Sequence, residues 1–356
     1  MLKLNPQTRR KLQRFKSVKR AYYSLMLFSF SLILAIFAEC WVNNRALVVH
    51  YQGEYYFPTY RSMIPGHVFG FDYAYEANYR ELRNRFVQEA NQDNWLIMPL
   101  VPYNEYENDL KGHTDENGNR IYPPYAPSFA EQHYLGTDVV GRDIVARLVY
   151  GFRYCIAFSL VLLLFNYSIG VSLGCVMGYW GGWFDLLFQR IIEIWSNVPF
   201  LYIIIIVASV IPPTFAILVG ISVFFGWMGM TWYLRTITYK EKAREYVLAA
   251  RALGASNFRV LFTHILPNSI SLIITFVPFA VIGGITSLTS LDYLGFGLPA
   301  PTPSWGELLA QGTSHLEAPW IVWSVIVGTV FILTMITFVG EGVREAFDPK
   351  RHTTYE

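Results

Sequence analysis

Three aspartates, Asp138, Asp143 and Asp292, border long apolar runs and are the carboxylates best placed for acid–base chemistry beside a membrane. Such a set could serve a membrane-embedded hydrolase, but no nucleophile-and-base pairing accompanies it. The chain has no G-x-x-x-x-G-K-[ST] loop to cradle a nucleotide. No H-E-x-x-H or paired-cysteine spacing points to zinc. The seven histidines (His50, His67, His113, His133, His264, His315 and His352) are scattered and read as non-ligands. The three cysteines, Cys40, Cys155 and Cys175, lie in or beside apolar stretches, and they read as small buried hydrophobes rather than as a disulfide framework. The chain is therefore expected to hold no catalytic residue, no metal and no cofactor of its own.

Other segments are built for contact instead. Residues 241–268 read EKAREYVLAARALGASNFRVLFTHILPN. From Glu241 to Leu253 they are rich in helix formers. Gly254 can take the left-handed conformation that ends a helix. Ser256 is a candidate N-cap for a second short helix running toward Thr263, and Pro267 marks entry into the next apolar run. The pattern predicts a helix–turn–helix element, and the small side chains of Ala249, Ala250 and Ala252 would let a partner approach closely. An ordinary basic loop is the plainer alternative. A second segment, Gly295 to Gly306, is dense in Gly and Pro, which suits either tight turns or an outer contact or gate. A third runs from Leu135 to Phe152. There Ile144, Val145, Leu148, Val149 and Phe152 share a helical face and Asp143 stands four residues before Arg147, so an amphipathic helix lying at the outer interface is expected.

The elements that must position these segments follow from composition. Hydrophobic residues make up 53% of the 356 residues, charged residues 15% and aromatics 17%. A soluble chain carries about 25% charge. This one cannot cover a water-soluble surface of its size, so it reads as an integral membrane protein, and disorder is excluded by the same figures. A net charge of +2 gives no electrostatic support for nucleic-acid binding. Charges are costly in hydrocarbon, so uncharged windows mark spanning helices. They are Ala21–Ala38, Tyr154–Phe184, Ile194–Leu234, Val260–Leu291 and Ala318–Gly340. The third is long enough for two spans, with Pro212-Pro213 at the turn, which gives six helices. Continuous apolar runs exclude a barrel. Ionisable residues are absent from the centres of these windows, so energy for any transport must come from elsewhere.

Lysine and arginine set the orientation. The first 20 residues hold eight basic residues and no acidic ones, so both termini should be cytoplasmic. Residues 233–268 also fall inside, with six basic and two acidic residues, whereas Asp292 to Glu317 falls outside and has no Lys or Arg. No small-x-small cleavage site follows helix 1, which is therefore expected to stay as an anchor. The expected organisation is a basic cytoplasmic N-terminus (1–20), transmembrane helix 1 (21–41), a Tyr-rich periplasmic segment (42–133), and an interfacial amphipathic helix (134–153). A membrane core follows (154–340) with helices 2–6 and a cytoplasmic loop at 235–268, then a cytoplasmic tail (341–356). Twelve of the 24 tyrosines lie between Tyr51 and Tyr134, which suggests a packed cap or a docking surface rather than a linker.

The loop residues carry a family resemblance. Ala249-Ala250, Gly254 and Leu266-Pro267 match the E-A-A-x3-G-x9-I-x-L-P signature of permease subunits of binding-protein-dependent ABC importers, with Leu248 in place of the Glu and His264 in place of the Ile. In that family this loop is the coupling helix seated in a groove of the ATP-binding subunit. Further segments resemble dipeptide and oligopeptide (DppC/OppC-like) permeases. They are Leu135-Gly136-Thr137-Asp138 with Gly141-Arg142-Asp143; Gly178-Tyr-Trp-Gly-Gly182 with Asp185; Asp292-Tyr-Leu-Gly295-Phe-Gly297; Pro301-Thr-Pro303-Ser-Trp305-Gly306; and Glu341-Gly-Val-Arg344 with Phe347-Asp-Pro349. The Tyr-rich segment with Tyr56-Phe-Pro58 and the run Thr289 to Pro299 resemble the YejE branch.

The resemblance implies an all-α integral membrane protein of the type I ABC importer (MetI-like) fold with six transmembrane helices, in the bacterial inner membrane. It implies a permease subunit forming half of a pathway for oligopeptides or peptide-like compounds. The implied partners are a second homologous permease, ABC ATP-binding subunits carrying ATP and Mg, a periplasmic peptide-binding protein and membrane lipid. It assigns Leu248, Ala249, Ala250, Gly254, Leu266 and Pro267 to coupling. Gly136, Thr137, Asp138, Gly141, Arg142 and Asp143 become an outer interface motif, and Asp292, Gly295, Gly297, Pro303, Trp305 and Gly306 an outer loop. The competing expectation is a channel or receptor coupled to no ATPase.

Overall fold

In lipid every backbone polar group must be satisfied within its own segment, so long apolar runs fold as helices. The computed structural model describes residues 6–88, 93–110, 113–114 and 120–347. Its helices are α1 (Pro6–Ser17), α2 (Lys19–Ile36), α3 (Tyr79–Gln88), α4 (Ile144–Trp180), α5 (Gly182–Ser196), α6 (Phe200–Val210), α7 (Phe215–Gly226), α8 (Met228–Lys242), α9 (Glu245–Ala252), α10 (Asn257–Arg259), α11 (Leu266–Tyr293), α12 (Trp305–Ser314) and α13 (Pro319–Phe347). Among the described residues, five stretches are long and apolar enough to cross a membrane: α2, α4, α7 with α8, α10 through α11, and α13. The pair α5 and α6, bent by 66°, supplies a sixth if it is one broken span.

Following the chain through these spans divides the bundle into two ends. One gathers α1, the α4–α5 turn, α9 and the end of α13. The other gathers the described residues between 37 and 143, the turn at Pro212-Pro213 and α12. The tightest packing is between α4 and α8. Gly170, Gly174 and Gly178 recur every fourth residue on α4, and a Cβ at Gly174 would lie 2.5 Å from the Thr231 carbonyl. Small residues at this spacing let two backbones meet, which is how helices gain packing contact in lipid.

Several expected boundaries move, and charge is the reason in most cases. Helix α4 starts at Ile144 rather than Tyr154, so residues 134–143 are not helical and 144–153 run on into the apolar helix without a break. Arg153, read as a residue outside the membrane, forks onto both carboxylate oxygens of Glu39 at 2.7 Å and also donates to the end carbonyls of α2. The expected Asp143–Arg147 pair does not form. Asp143 instead caps α4, accepting from the Ala146 N–H at 2.9 Å. The α5–α6 pair begins at Gly182, not Ile194, with Asp185 held by a two-pronged contact with Arg235 (2.5 and 2.6 Å). It breaks at residues 197–199, where Pro199 lacks an N–H.

The segment from Asn257 to Tyr293 is continuous, so neither Thr263 nor Pro267 ends a helix. Val260–Ile265 widens into a π turn just before Pro267, and the Leu266 N–H reaches the Leu261 carbonyl. The wider turn accommodates the proline ring and its missing donor without a break. Conversely, the run from Glu241 to Leu253 is interrupted at Ala243–Arg244, between α8 and α9. The last helix runs past Gly340 to Phe347, and Glu341 pairs with Arg20 at 3.2 Å. Tail positions 348–356, including Asp348 and Pro349 of the C-terminal motif, lie outside the described residues, as do positions 1–5 with Lys3. Cys155 and Cys175 are buried, while Cys40 is only half-buried beside the Tyr60 hydroxyl; all three are free.

The Tyr-rich segment adds structure that an all-helical expectation omits. Strands β1 (Val48–Tyr51), β2 (Glu54–Tyr56) and β3 (Trp95–Ile97) form an antiparallel sheet in the order β2-β1-β3. Gln52 and Gly53, both at positive φ, make the two-residue hairpin between β1 and β2. The sheet and α3 enclose a core of Ala46, Val49, Phe69, Ala77, Tyr79, Leu82 and Phe86.

Candidate functional site

The α9 element is built by two caps. Leu253 ends α9, and Gly254 turns left-handed at φ +82°. The Gly254 N–H then reaches the Arg251 carbonyl (2.9 Å) and the Ala255 N–H reaches the Ala250 carbonyl (3.0 Å), the paired bonds of a Schellman ending. Two residues on, the Ser256 hydroxyl accepts from the Arg259 N–H and starts the next helix. A Cβ on Gly254 would meet nothing within 4 Å, so what demands glycine there is the backbone conformation and not space.

The element has two faces. On the inner face Val247, Val260, Leu261 and Ile265 are buried against Cys175 and Tyr179 of α4 and Leu234 of α8. Burying each such side chain contributes about 1.5–3 kcal/mol, so the element is firmly seated. The Tyr179 hydroxyl also donates to Asn257 (2.8 Å), tying α4 to the start of α10. The outer face leaves Leu248 at 52%, Leu253 at 89%, Phe258 at 67% and Phe262 at 56% exposure, and the Phe258 and Phe262 rings stack at 6.1 Å. Ala249 and Ala252 are exposed beside them, whereas Ala250 faces the buried cluster, Leu266 is half-buried and Pro267 is exposed. Large apolar side chains grouped on a rigid projection form a surface suited to a partner protein.

At the opposite end, the two outer motifs come together as a buried clamp. Asp138 accepts from the N–H groups of Val140 and Arg142 (2.9 Å each) and from Arg142 Nε (2.7 Å). Arg142 reaches on to Glu307 at 2.8 Å, and Arg147, fully buried, also pairs with Glu307 and donates to the carbonyls of Glu105, Pro301 and Thr302. His133 lies between Asp143 (2.8 Å) and Asp109 (3.4 Å). Its burial favours the neutral ring, but the hydrogen bonds to Asp109 and Asp143 outweigh that and raise its pKa to about 9. Asp292 accepts from the Leu298 N–H (2.7 Å) and the Ser304 hydroxyl (2.5 Å), and Ser304 caps α12. Trp305 stacks on Phe152 and donates to the Leu148 carbonyl (2.8 Å).

Gly136, Gly141, Gly297 and Gly306 sit where a Cβ would strike neighbouring atoms, Gly295 turns left-handed at the end of α11, and Thr137 and Pro303 are buried. The predicted outer residues thus meet, but as a fastening and not as an exposed interface. Arg147, Glu307, His133 and Asp109 belong to the same clamp and were not singled out from sequence. Only the i, i+4 charges at 143 and 147 hinted at it, and they pair elsewhere. Among the described residues no group of His, Cys, Asp and Glu gathers as a metal site.

A helical membrane bundle with a rigid apolar projection offers a surface for contact with another protein. Residues 170–353 match the family described as the inner membrane component of binding-protein-dependent transport systems, and the chain belongs to that family, with its MetI-like permease fold. It is 38% identical to the peptidoglycan transport system permease protein YejE of Agrobacterium fabrum, over 98% of this chain and 94% of that one. It is 37% identical to the inner membrane ABC transporter permease protein YejE of Escherichia coli, over 99% of each chain. The oligopeptide transport system permease protein OppC of Lactococcus lactis (strain IL1403) matches at 34% over 65% of this chain and 81% of its own length. The protein is thus a multi-pass inner-membrane permease of an ABC importer. ATP hydrolysis in such systems lies on separate subunits, and a binding protein supplies the substrate.

Proposed function

We propose that this chain forms half of the transmembrane pathway of an importer for oligopeptides or peptide-like compounds, paired with a second homologous permease. The observation that carries the reading is the α9 element, seated by four buried apolar side chains and presenting Leu248, Leu253, Phe258 and Phe262 outward. That face would dock in a groove of the ATP-binding subunit, which holds ATP and Mg. Closure of the nucleotide-binding subunits would then move α8 and α10–α11 together through the Val247–Val260 packing and alternate access to the pathway. Basic residues dense in α1 and around α9 support placing this end, with both termini, in the cytoplasm. The sheet domain and the clamp would then face the periplasm, toward a peptide-binding protein. The peptide class is supported by the name of the oligopeptide permease relative, and the A. fabrum relative is named for peptidoglycan transport.

Proteoliposomes test this reading. The chain, its partner permease, the ATP-binding subunits and the binding protein should together take up labelled oligopeptide only when ATP and the binding protein are both supplied. Uptake by this chain alone, indifferent to ATP, would contradict it.

A further inference from the structure

A cavity of about 640 Å3 lies in the wall of the bundle, bordered by α4, α5, α6, α7, α8 and α11. It sits where the third span breaks, with Trp195 and Ser196 closing α5 on one side and Phe200 opening α6 on the other. Broken spans recur at membrane binding sites because their interrupted ends face cavities. Two buried polar atoms on residues of this wall have no partner: Asn166 Oδ1, and the hydroxyl of Ser222, a residue only 6% exposed. An orphaned buried polar atom calls for something that completes it. Gly229 and Gly283 line the same wall, and a Cβ at either would meet nothing within 4 Å. Alanine would suit the helices better, so these glycines relieve no crowding and leave the space free. No Asp, Glu, Lys or Arg is among the described lining residues.

We propose that this cavity is the compartment a peptide occupies in passing, with Asn166 and Ser222 hydrogen-bonding its backbone amides. The inference rests on the peptide reading above and adds the residues that the cargo meets. Asn166 offers a carbonyl and an NH2, and Ser222 a group that both donates and accepts, which suits the amide common to every peptide whatever its side chains. A wall without ionised groups gives no charged anchor to trap the cargo midway. The volume falls within the ~300–1,000 Å3 of small-ligand sites, enough for a short extended segment.

The test uses the assembled transporter in proteoliposomes with labelled tri-alanine and penta-alanine, reading uptake per ATP hydrolysed. Gly283→Phe, which fills open space, should block uptake while the complex still assembles. Ser222→Val and Ser222→Thr have the same shape and differ only in the hydroxyl. The Val variant should lose about fivefold in uptake per ATP relative to Thr, as expected for one hydrogen bond. A role in packing alone would move Val and Thr alike, and a hydroxyl needed only for folding would lower the yield of assembled complex rather than uptake per ATP. Peptide uptake by the wild type, with all three variants unaffected or with Val and Thr equal, overturns the cavity assignment and leaves the peptide reading standing. A wild type that moves neither peptide overturns both.

Discussion

At the scale of single residues, Gly254 carries the sharpest consequence. Its φ of +82° costs an ordinary L-residue about 1–2 kcal/mol, but asparagine tolerates that region. Gly254→Val should therefore impair ATP-dependent uptake with normal membrane insertion, and Gly254→Asn should retain most of it; equal loss in both would point to a lost contact instead. Arg147 makes a second case. Removing it by Arg147→Met strips Glu307 and Asp138 of a buried counter-charge, a change that typically costs about 3–5 kcal/mol. Melting of the detergent-extracted chain should fall by several degrees or more. His133 adds a pH dependence. Its folded-state pKa of about 9 exceeds the ordinary 6.5. Its contribution to stability is then fully present below pH 6.5 and is lost as pH rises through about 9. The melting temperature should decline over that window, and His133→Asn should flatten the decline. Gly254 was legible in the sequence because positive φ is a property of residue type. The partners of His133 were not, because Asp109 is brought to it only by the fold.

At the scale of elements, five of the six expected spans and the Pro212-Pro213 turn were readable from charge gaps, with the bent α5–α6 pair in the place of the other, but several ends were not. A charge gap closes a span at its first ionisable residue. Arg147, Arg153 and Asp185 stand inside helices because Glu307, Glu39 and Arg235 neutralise them within the protein. Such pairing is tertiary, and no local pattern announces it. The sheet of the Tyr-rich segment was missed for a related reason: its strands are three or four residues long, too short for alternation to show. The helical seam between α4 and α8 yields a further prediction. Gly174→Leu would force a side chain into the Thr231 carbonyl and the Leu234 Cβ. It should lower the yield of folded chain sharply, whereas a leucine at Gly220, where a Cβ meets nothing within 4 Å, should be tolerated. Comparable yields of the two would show that the seam is not tight.

At the scale of the whole molecule, the bundle separates a fastened end from a presenting end. The Asp138–Arg142–Glu307–Arg147 clamp holds α4, α12 and the loop before α12 as one body. The other end carries the exposed apolar face of α9 and α10. Buried packing joins that face to α4 and α8, two of the helices that wall the cavity. The central claim is that this face is where the ATP-binding subunit attaches. It is tested most directly by co-purifying that subunit with the full-length chain from native membranes, comparing wild type with Leu253→Glu. Leu253 is 89% exposed, so the substitution disturbs no internal packing. The account predicts that the wild type retains the ATP-binding subunit and the variant, equally abundant and folded, loses most of it. Undiminished recovery with Leu253→Glu would contradict the account.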